Sequence, residues 1–481
     1  MISFHDLYVL LPELYLTAAA CLVLLFDVFL DDRHRDLTHW VAIIVMLVAI
    51  FLVIHGQPPQ TAHAFGGMFV RDRMAEILKV TVLIATILMF VMARPWLKDR
   101  KLFIGEFYSL SMFSVLGVML LVSAGSLITV YLGLELFSLP AFALVALNRE
   151  SKLSSEAAIK FFVLGALASG LLLFGMSLIY GATGTLDLHR IFASVGTTTH
   201  LHLLQFGLVF LVVGIGFEFG AVPFHMWLPD VYEGAPTPIA MYISAVPKLA
   251  AIGLAYRLLQ VGLGPLAHDW RMMLAIMAAL SLLVGNVVAI AQSNFKRMLA
   301  YSTISHMGFV FLALSNPSPE GYSAALFYAV CFALMETVAF GVILALARKG
   351  FECEMIDDLK GLNRRSPWFA GMMAIAMFSL AGIPPLWGFA AKVLVLKAAI
   401  DGGMLWLAIV AIVCAIIGLF YYLRVVWVMY FSEPVEGAEP LAPKPDLALR
   451  WLLSINALGL IAMIGFSGVL YAWCQAAFGH F

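Results

Sequence analysis

Long apolar runs follow one another along the whole chain and predict an all-α membrane protein. Each run is close to the ~20 residues that a helix needs to cross roughly 30 Å of hydrocarbon. The runs show no alternation of apolar and polar positions, which disfavours a membrane β-barrel. About fourteen runs are predicted, near residues 9–30, 39–56, 75–94, 107–123, 126–148, 157–181, 204–227, 237–261, 271–292, 298–315, 321–347, 368–398, 404–431 and 450–477.

The composition supports a membrane location and limits the expected partners. Of the 481 residues, 63% are hydrophobic and only 12% are charged, whereas a soluble chain is nearer a quarter charged. The balance of 28 basic and 29 acidic residues is unlike that of a nucleic-acid-binding protein. We therefore expect the lipid bilayer and other membrane subunits as partners, and no nucleic acid. Basic residues occur in loops on both sides of the predicted membrane, so their distribution does not assign the orientation of the chain.

The first run begins almost at Met1 and predicts a retained helix. It contains Pro12, Glu13 and Asp27, and neither a basic region nor a small-residue cleavage site marks it as a signal peptide. Polar residues collect in a few short segments, so no separate soluble domain is expected. These segments are 31–36, 94–101, 348–366 and 433–446.

The cysteines do not indicate a cofactor or metal site. Cys21, Cys331, Cys353, Cys414 and Cys474 are scattered, without the close Cys or His spacing of zinc and iron–sulfur sites. The chain also lacks a glycine-rich phosphate loop and a nucleotide-binding fingerprint. We expect no cofactor, metal ion or disulfide in this chain.

Seven ionisable residues lie inside the predicted spans and are the candidate functional residues. A charged side chain at a lipid-facing helix centre costs at least ~2.5 kcal/mol, so each must face protein or a water-filled cavity. A structural ion pair would explain any one of them, but seven in successive spans indicate a path for ions or protons. The seven are Glu135, Lys160, Glu218, Lys248, His306, Glu336 and Lys392.

His306 fits two roles equally well. The stretch "STISH" places Ser302, Thr303 and Ser305 beside it as hydrogen-bond partners, which suits a structural histidine. A histidine near neutral pH also suits a proton carrier.

Prolines stand next to several of these charges and predict broken helices. A proline lacks the N–H that would bond the carbonyl four residues earlier. Unwound backbone occurs at membrane depth only where protein or water satisfies it, and a charge beside such a turn is typical of transporter sites. The pairs are Glu218 with Pro223, Lys248 with Pro247, and Lys392 with Pro384.

An internal duplication would explain why the second half repeats this pattern. Residues 156–170 can be aligned on residues 323–337 with five identical positions. Alanine-rich helices match at nearly this level by chance, so the alignment alone is weak support. With an odd number of helices per unit, the two repeats would be inverted.

Three ordered motifs resemble a known family of membrane proteins. "VPFHMWLPDVYEGAPTP" (222–238), "KRMLAYSTISHMG" (296–308) and "SLAGIPPLWGFAAK" (379–392) are similar to the antiporter-like membrane subunits of respiratory complex I, an NADH:quinone oxidoreductase, and of multisubunit cation/proton antiporters. Within the group, "VLLPELYL", "LGLELFSLPAFALVAL" and the ending at Phe481 most resemble the N-type subunits, since an L-type subunit would continue into a long lateral helix.

The resemblance implies about fourteen transmembrane helices with two inverted five-helix repeats and discontinuous helices. Its division of the chain would give N-terminal transmembrane helices in 1–104 and a first antiporter-like repeat in 105–262. A second antiporter-like repeat would occupy 263–432, followed by a loop and the last helix in 433–481.

The resemblance also implies roles for individual residues. Glu135 matches the glutamate of the fifth helix, Lys248 the connecting lysine of the eighth, and Lys392 the terminal lysine of the twelfth. His306 falls on the tenth-helix side of a central hydrophilic axis, and Pro223 would break the seventh helix.

A proton-translocating function follows from the same resemblance. The chain would couple quinone reduction in neighbouring subunits to proton transfer along buried Glu, Lys and His residues, in a bacterial inner (plasma) membrane. FMN, iron–sulfur clusters and quinone are expected in partner subunits, with no redox site in this chain. The nearest partners would be other antiporter-like and small transmembrane subunits.

Two residues depart from the family pattern. Glu218 stands where the family usually has lysine, so two carboxylates would face one another. Desolvated like charges favour sharing one proton, and we expect Lys160 or Lys248 to supply the positive partner. Glu336 has no role in the family pattern, and both a compensating charge and a structural pair fit it.

Two other functions remain open on the sequence alone. A sodium/proton antiporter subunit would use a similar site, transport without NADH or quinone, and depend on sodium. A non-transporting scaffold would use the charges only for packing, so that neutralising Lys248 or Lys392 would harm assembly and leave proton flux per complex unchanged.

Overall fold

The computed structural model describes residues 3–31, 34–56, 61–434 and 446–479, and most of them are helical. Within these ranges, eleven helices are long and apolar enough to cross a membrane, and a C-terminal helix pair adds a twelfth span when counted together. The all-α, multi-pass membrane fold predicted from the apolar runs is thus confirmed. Most of the polar segment predicted at 433–446 lies outside the described residues.

One short helix, three long helices and a small hairpin form the N-terminal part. They are α1 (Phe4–Val9), α2 (Leu11–Val28), α3 (Asp36–His55), β1 (Ala62–Ala64), β2 (Phe69–Arg71) and α4 (Arg73–Asp99). Pro12 lies in the first turn of α2, where a missing N–H costs no helical hydrogen bond. The two strands pair antiparallel, with Ala62 opposite Arg71.

A first helical unit follows and contains a broken helix. Its helices are α5 (Gly105–Val122), α6 (Leu127–Val145), α7 (Lys152–Thr183), α8 (Leu188–Ser194), α9 (Leu201–Phe219), α10 (Trp227–Gly234) and α11 (Thr237–Ala255). The predicted span 204–227 is therefore α9 followed by a break around Pro223, and α10 begins only at its last residue. The N–H of Val222 in this break donates to the Ser281 hydroxyl at 2.9 Å, so a neighbouring helix satisfies the unwound backbone.

A second unit repeats this organisation. Its helices are α12 (Ala267–Ile290), α13 (Phe295–Leu314), α14 (Pro319–Leu346), α15 (Leu362–Arg365), α16 (Pro367–Ala381), α17 (Trp387–Asp401) and α18 (Leu405–Phe431). The predicted span 368–398 is again two helices, α16 and α17. In both units the break begins at a glycine with positive φ, Gly220 at 69° and Gly382 at 83°, three residues before Pro223 and Pro385. The chain then ends in α19 (Leu447–Ala462) and α20 (Ser467–Phe478).

Pro247 does not break its helix. α11 runs without interruption from Thr237 to Ala255 with Pro247 inside it. The expectation of a break there is wrong, because one missing N–H removes one hydrogen bond without ending a helix that is packed on every side. The whole apolar window of α11 is buried.

α11 and α14 form the centre of the molecule. They pack against one another and thereby join the two units. Nearly all of the apolar window of α14 is buried, like that of α11. These two central helices carry the fully buried charged residues Lys248 and Glu336.

One ion pair joins two N-terminal helices, and a second attaches the N-terminal part to the first unit. Lys79 of α4 lies 2.6 Å from Glu13 of α2, and both side chains are almost inaccessible to solvent. Arg257, just after α11, lies 2.7 Å from Asp72. Glu13, noted in the first apolar run, is thus a paired residue between helices.

Glycines permit the closest helix contacts, and their substitution tests the packing. A Cβ at Gly117 would meet the main chain of α6 at 2.2 Å, and one at Gly285 would meet that of α13 at 2.6 Å. We expect Gly117→Ala and Gly285→Ala each to destabilise the fold by about 1–3 kcal/mol through overpacking. Thermal unfolding of the purified assembly measures this. Gly371→Ala is the control, since open space surrounds that position, and equal stability of all three variants would contradict this packing.

Candidate functional site

Glu135 and Glu218 line one cavity inside the first unit. The cavity has a volume of about 180 Å³ and lies among α6, α7, α9, α10 and α11, which leaves room for several water molecules. The Ser169 hydroxyl donates a hydrogen bond to Oε1 of Glu135. The two carboxylates expected to face one another thus share a single space.

Lys248 is the cation at this site. Its side chain is fully buried, and Nζ donates to the main-chain carbonyl of Glu218 at 3.2 Å. Nζ also lies 4.8 Å from the ring centroid of Trp227, a favourable position for a cation. The Glu218 carboxyl lies within electrostatic range of both Lys248 and Glu135.

The broken helix explains why Lys248 binds a carbonyl here. The last four carbonyls of a helix have no intrahelical partner, and α9 ends at Phe219. The Trp227 indole N–H donates to the carbonyl of Phe217 at 3.1 Å, and Lys248 takes that of Glu218. A positive charge at a helix C-terminus also interacts favourably with the helix dipole.

Lys392 has the same kind of environment in the second unit. Its Nζ donates to the carbonyls of Leu380 and Ala381, at 3.0 and 2.8 Å, at the C-terminus of α16. It also lies 5.2 Å from the ring centroid of Phe309. The buried Lys248 and the partly buried Lys392 therefore each bind the end of a broken helix and an aromatic face.

His306 is buried between two tyrosines. Nδ1 lies 2.6 Å from the Tyr328 hydroxyl and Nε2 lies 2.9 Å from the Tyr422 hydroxyl. Tyr422 in turn forms a hydrogen bond with Ser302. Ser302 thus reaches His306 through Tyr422, whereas the sequence suggested direct serine and threonine partners.

The tyrosine partners could not be found from sequence spacing. Tyr328 and Tyr422 are on α14 and α18, 22 and 116 positions from His306, and tyrosine is common in membrane helices. Ser169, bound to Glu135, was missed for the same reason. In each case only the packing of helices distant in sequence brings the partners together.

Lys160 lies away from the cavity. Its side chain is 44% exposed, and Nζ lies 2.8 Å from both Glu156 and Asp230. Arg297 also binds Asp230, at 2.8 Å. Of the two cations considered as partners of Glu218, the structure therefore brings only Lys248 to it.

Among the described residues, no ion pair or compensating cation accounts for Glu336. Its side chain is completely buried, and neither carboxyl oxygen has a hydrogen-bond partner among the described residues. It lies on α14, away from the cavity at Glu135. Across the same described ranges, no cluster of three or more His, Cys, Asp and Glu residues is arranged to hold a metal ion.

Comparisons with known proteins identify the family. The family model for the transmembrane part of NADH:quinone oxidoreductase and Mrp antiporters matches residues 124–418. NADH-quinone oxidoreductase subunit N of Xanthomonas euvesicatoria is 52% identical over 98% of this chain and 96% of its own length. The subunit N of Nitrosomonas europaea is 48% identical, covering 98% and 97%.

Solved structures agree with this family. A chain of respiratory complex I from Thermus thermophilus with bound aureothin has a TM-score of 0.82 and 29% identity, covering 96% of this chain and 98% of that one. A chain of the Mrp complex from Dietzia has a TM-score of 0.85, covers 99% and 97%, and at 21% identity shows the shared fold alone. The chain belongs to the NADH:quinone oxidoreductase/Mrp antiporter membrane family and, within it, to the NADH-quinone oxidoreductase subunit N group.

Proposed function

We propose that this chain translocates protons as the N-type membrane subunit of an NADH:quinone oxidoreductase in the bacterial inner membrane. The observation that carries the proposal is the setting of Lys248. This fully buried ammonium lies on a central helix, binds the end of a broken helix, and is close to the carboxyl of Glu218. Such a lysine has a charge that depends on its neighbours, as proton transfer requires.

The first unit takes up and holds the proton. The shared cavity has room for water that would connect Glu135 with Glu218, and the Ser169 hydroxyl donates a hydrogen bond to Glu135. Two close carboxylates hold one shared proton more readily than two negative charges. When that proton is on Glu218, the negative charge next to Lys248 disappears, and the ammonium is stabilised less.

Lys248 then passes its proton towards the second unit. Its remaining acceptor is a neutral carbonyl, so loss of the proton leaves no buried charge unpaired. In the second unit, His306 lies within electrostatic range of Lys392. Two positive charges there repel one another, so a proton arriving at His306 favours release of the proton held by Lys392.

The energy comes from partner subunits. Electron transfer through FMN and iron–sulfur clusters to quinone is assigned to them, because the candidate residues of this chain are proton-carrying groups. Apolar side chains on the outer face of α7 are exposed in the isolated chain, including Ile159, Phe162 and Leu167. Such a face suits packing against the lipid bilayer and against neighbouring antiporter-like or small transmembrane subunits.

Replacement of Lys248 tests the proposal. We expect Lys248→Ala to lower NADH-driven proton pumping by at least about tenfold, because a positioned acid–base group typically contributes about a hundredfold or more. Pumping is measured in proteoliposomes that contain the whole complex, with quinone reduction and subunit content followed in parallel. Lys397→Ala, which removes an exposed lysine of α17, is the matched control.

Three results would contradict this assignment. If the assembled Lys248→Ala complex pumps protons and reduces quinone at the wild-type rates, the result would favour the non-transporting scaffold. Poor assembly of the variant, with normal pumping by each complex that does assemble, would also favour the scaffold. Sodium-dependent transport without NADH or quinone would favour the antiporter.

Replacement of Glu218 tests whether its carboxyl keeps the proton-storing role with a charge opposite to the family lysine. We expect Glu218→Gln to reduce pumping by about tenfold or more, because an amide cannot take up a proton. The same proteoliposome assay measures the loss. Glu156→Gln is the control, since that exposed carboxylate pairs with Lys160, away from the cavity. Pumping at the wild-type rate in Glu218→Gln would rule out the proton-storing role.

A further inference from the structure

Glu336 is an unpaired acid in the most buried part of the molecule. An ionised carboxylate without a cation or hydrogen-bond donor is very costly in a protein interior. Glu13 shows the usual solution in this chain, since it is equally buried and lies 2.6 Å from Lys79. Glu336 has neither kind of partner in the described part of the chain, so its resting form is the neutral carboxylic acid.

The helix face that carries Glu336 leads to His306. Residues spaced by four lie on one face of a helix. On α14 these are Tyr328, Phe332, Glu336 and Phe340. His306 binds Tyr328, and its ring centroid lies 4.9 Å from that of Phe332, one helical turn before Glu336.

The opposite end of the same face leads to Tyr232. The ring of Tyr232, on α10, packs on Phe340 with centroids 5.9 Å apart, one turn after Glu336. The Tyr232 hydroxyl is buried close to Thr303 but makes no hydrogen bond of good geometry with the described residues. It lies within electrostatic range of Glu336. An acid and a phenol without partners thus occupy the same buried region.

Two more hydroxyls border this region. Tyr421 and Tyr422 of α18 both lie within electrostatic range of Glu336. Tyr422 is also the partner of His306 Nε2 at 2.9 Å. The region therefore connects directly with the imidazole of the second unit.

A polar cavity reaches the other side of this region. Its volume is about 620 Å³, and Glu233, Lys296 and Glu354 are among its lining residues. Lys296 is buried, with Nζ 2.6 Å from Glu354. On α13, Lys296 and Thr303 lie on one face, seven residues or about 10 Å apart along the axis. Glu233 directly follows Tyr232, so α10 and α13 both run from this cavity to the acid.

We propose that Glu336 holds a transferable proton between the polar cavity at Lys296 and the imidazole of His306. The inference rests on the proposed function. The carboxyl O–H of Glu336 gives its proton through a bridging water molecule to the Tyr422 hydroxyl, which gives its own proton to His306 Nε2. Glu336 is left as a carboxylate and takes up a new proton from the cavity through Tyr232 and water. Lys392 releases its own proton first, and the proton on His306 then moves to Lys392.

Infrared difference spectroscopy of the assembled complex, with and without NADH, tests this directly. A buried carboxylic acid that exchanges its proton gives a C=O band that disappears during turnover and shifts in D₂O. We expect the band in wild type and in the control Glu320→Gln, an exposed carboxyl on the same helix. We expect its loss in Glu336→Gln, together with a loss of pumped protons per quinone reduced.

A second variant tests the inference if Glu336→Gln does not assemble. Tyr232→Phe removes only the hydroxyl and keeps the ring packed on Phe340. We expect this variant to pump protons more slowly than wild type. Wild-type pumping in Tyr232→Phe or in assembled Glu336→Gln would overturn the inference, as would a sodium requirement that Glu336→Gln abolishes. If Lys248→Ala still loses pumping, only this inference fails. If Lys248→Ala also pumps normally, the proposed function fails as well.

Discussion

The cost of an unsatisfied charge or backbone group at membrane depth determines how this molecule is built. A charge facing lipid costs at least ~2.5 kcal/mol, and unwound backbone in hydrocarbon lacks water to bond it. The chain meets both costs with one arrangement. The carbonyls freed where α9 and α16 end are the acceptors for the buried ammonium groups of Lys248 and Lys392. Each broken helix therefore needs its lysine, and each lysine needs its broken helix.

This arrangement also explains why the lysines can work as proton carriers. A lysine that is paired with a carboxylate at hydrogen-bond distance is held as a cation. Lys248 binds a carbonyl and feels the carboxyl of Glu218 through space, so its charge responds to the protonation of that carboxyl. Glu336 extends the principle to an acid, because the same region holds hydroxyls that can relay a proton, while the described residues place no cation beside it that would fix its charge.

Sequence patterns predicted much of the fold and less of the site. Hydrophobic runs located the helices, since a membrane span must be long and apolar, and Pro223 and Pro384 marked the breaks in the seventh and twelfth spans. Pro247 misled, because a proline inside a fully packed helix removes one hydrogen bond without unwinding it. Ionisable residues within apolar runs pointed to Glu135, Glu218, Lys248 and Lys392 as candidates. Spacing could not show that Lys160 is exposed or that tyrosines bind His306, since helix packing decides both.

The central claim is that Glu218 and Lys248 act as one electrostatic unit, and a double-mutant cycle measures this most directly. NADH-driven pumping is compared in proteoliposomes of wild type, Glu218→Gln, Lys248→Ala and the double variant, each normalised to assembled complex. Residues that act as a unit show non-additive effects. The account predicts that the double variant pumps no worse than the poorer single variant. A loss in the double variant equal to the product of the two single losses would show that the residues act independently, and would contradict the account.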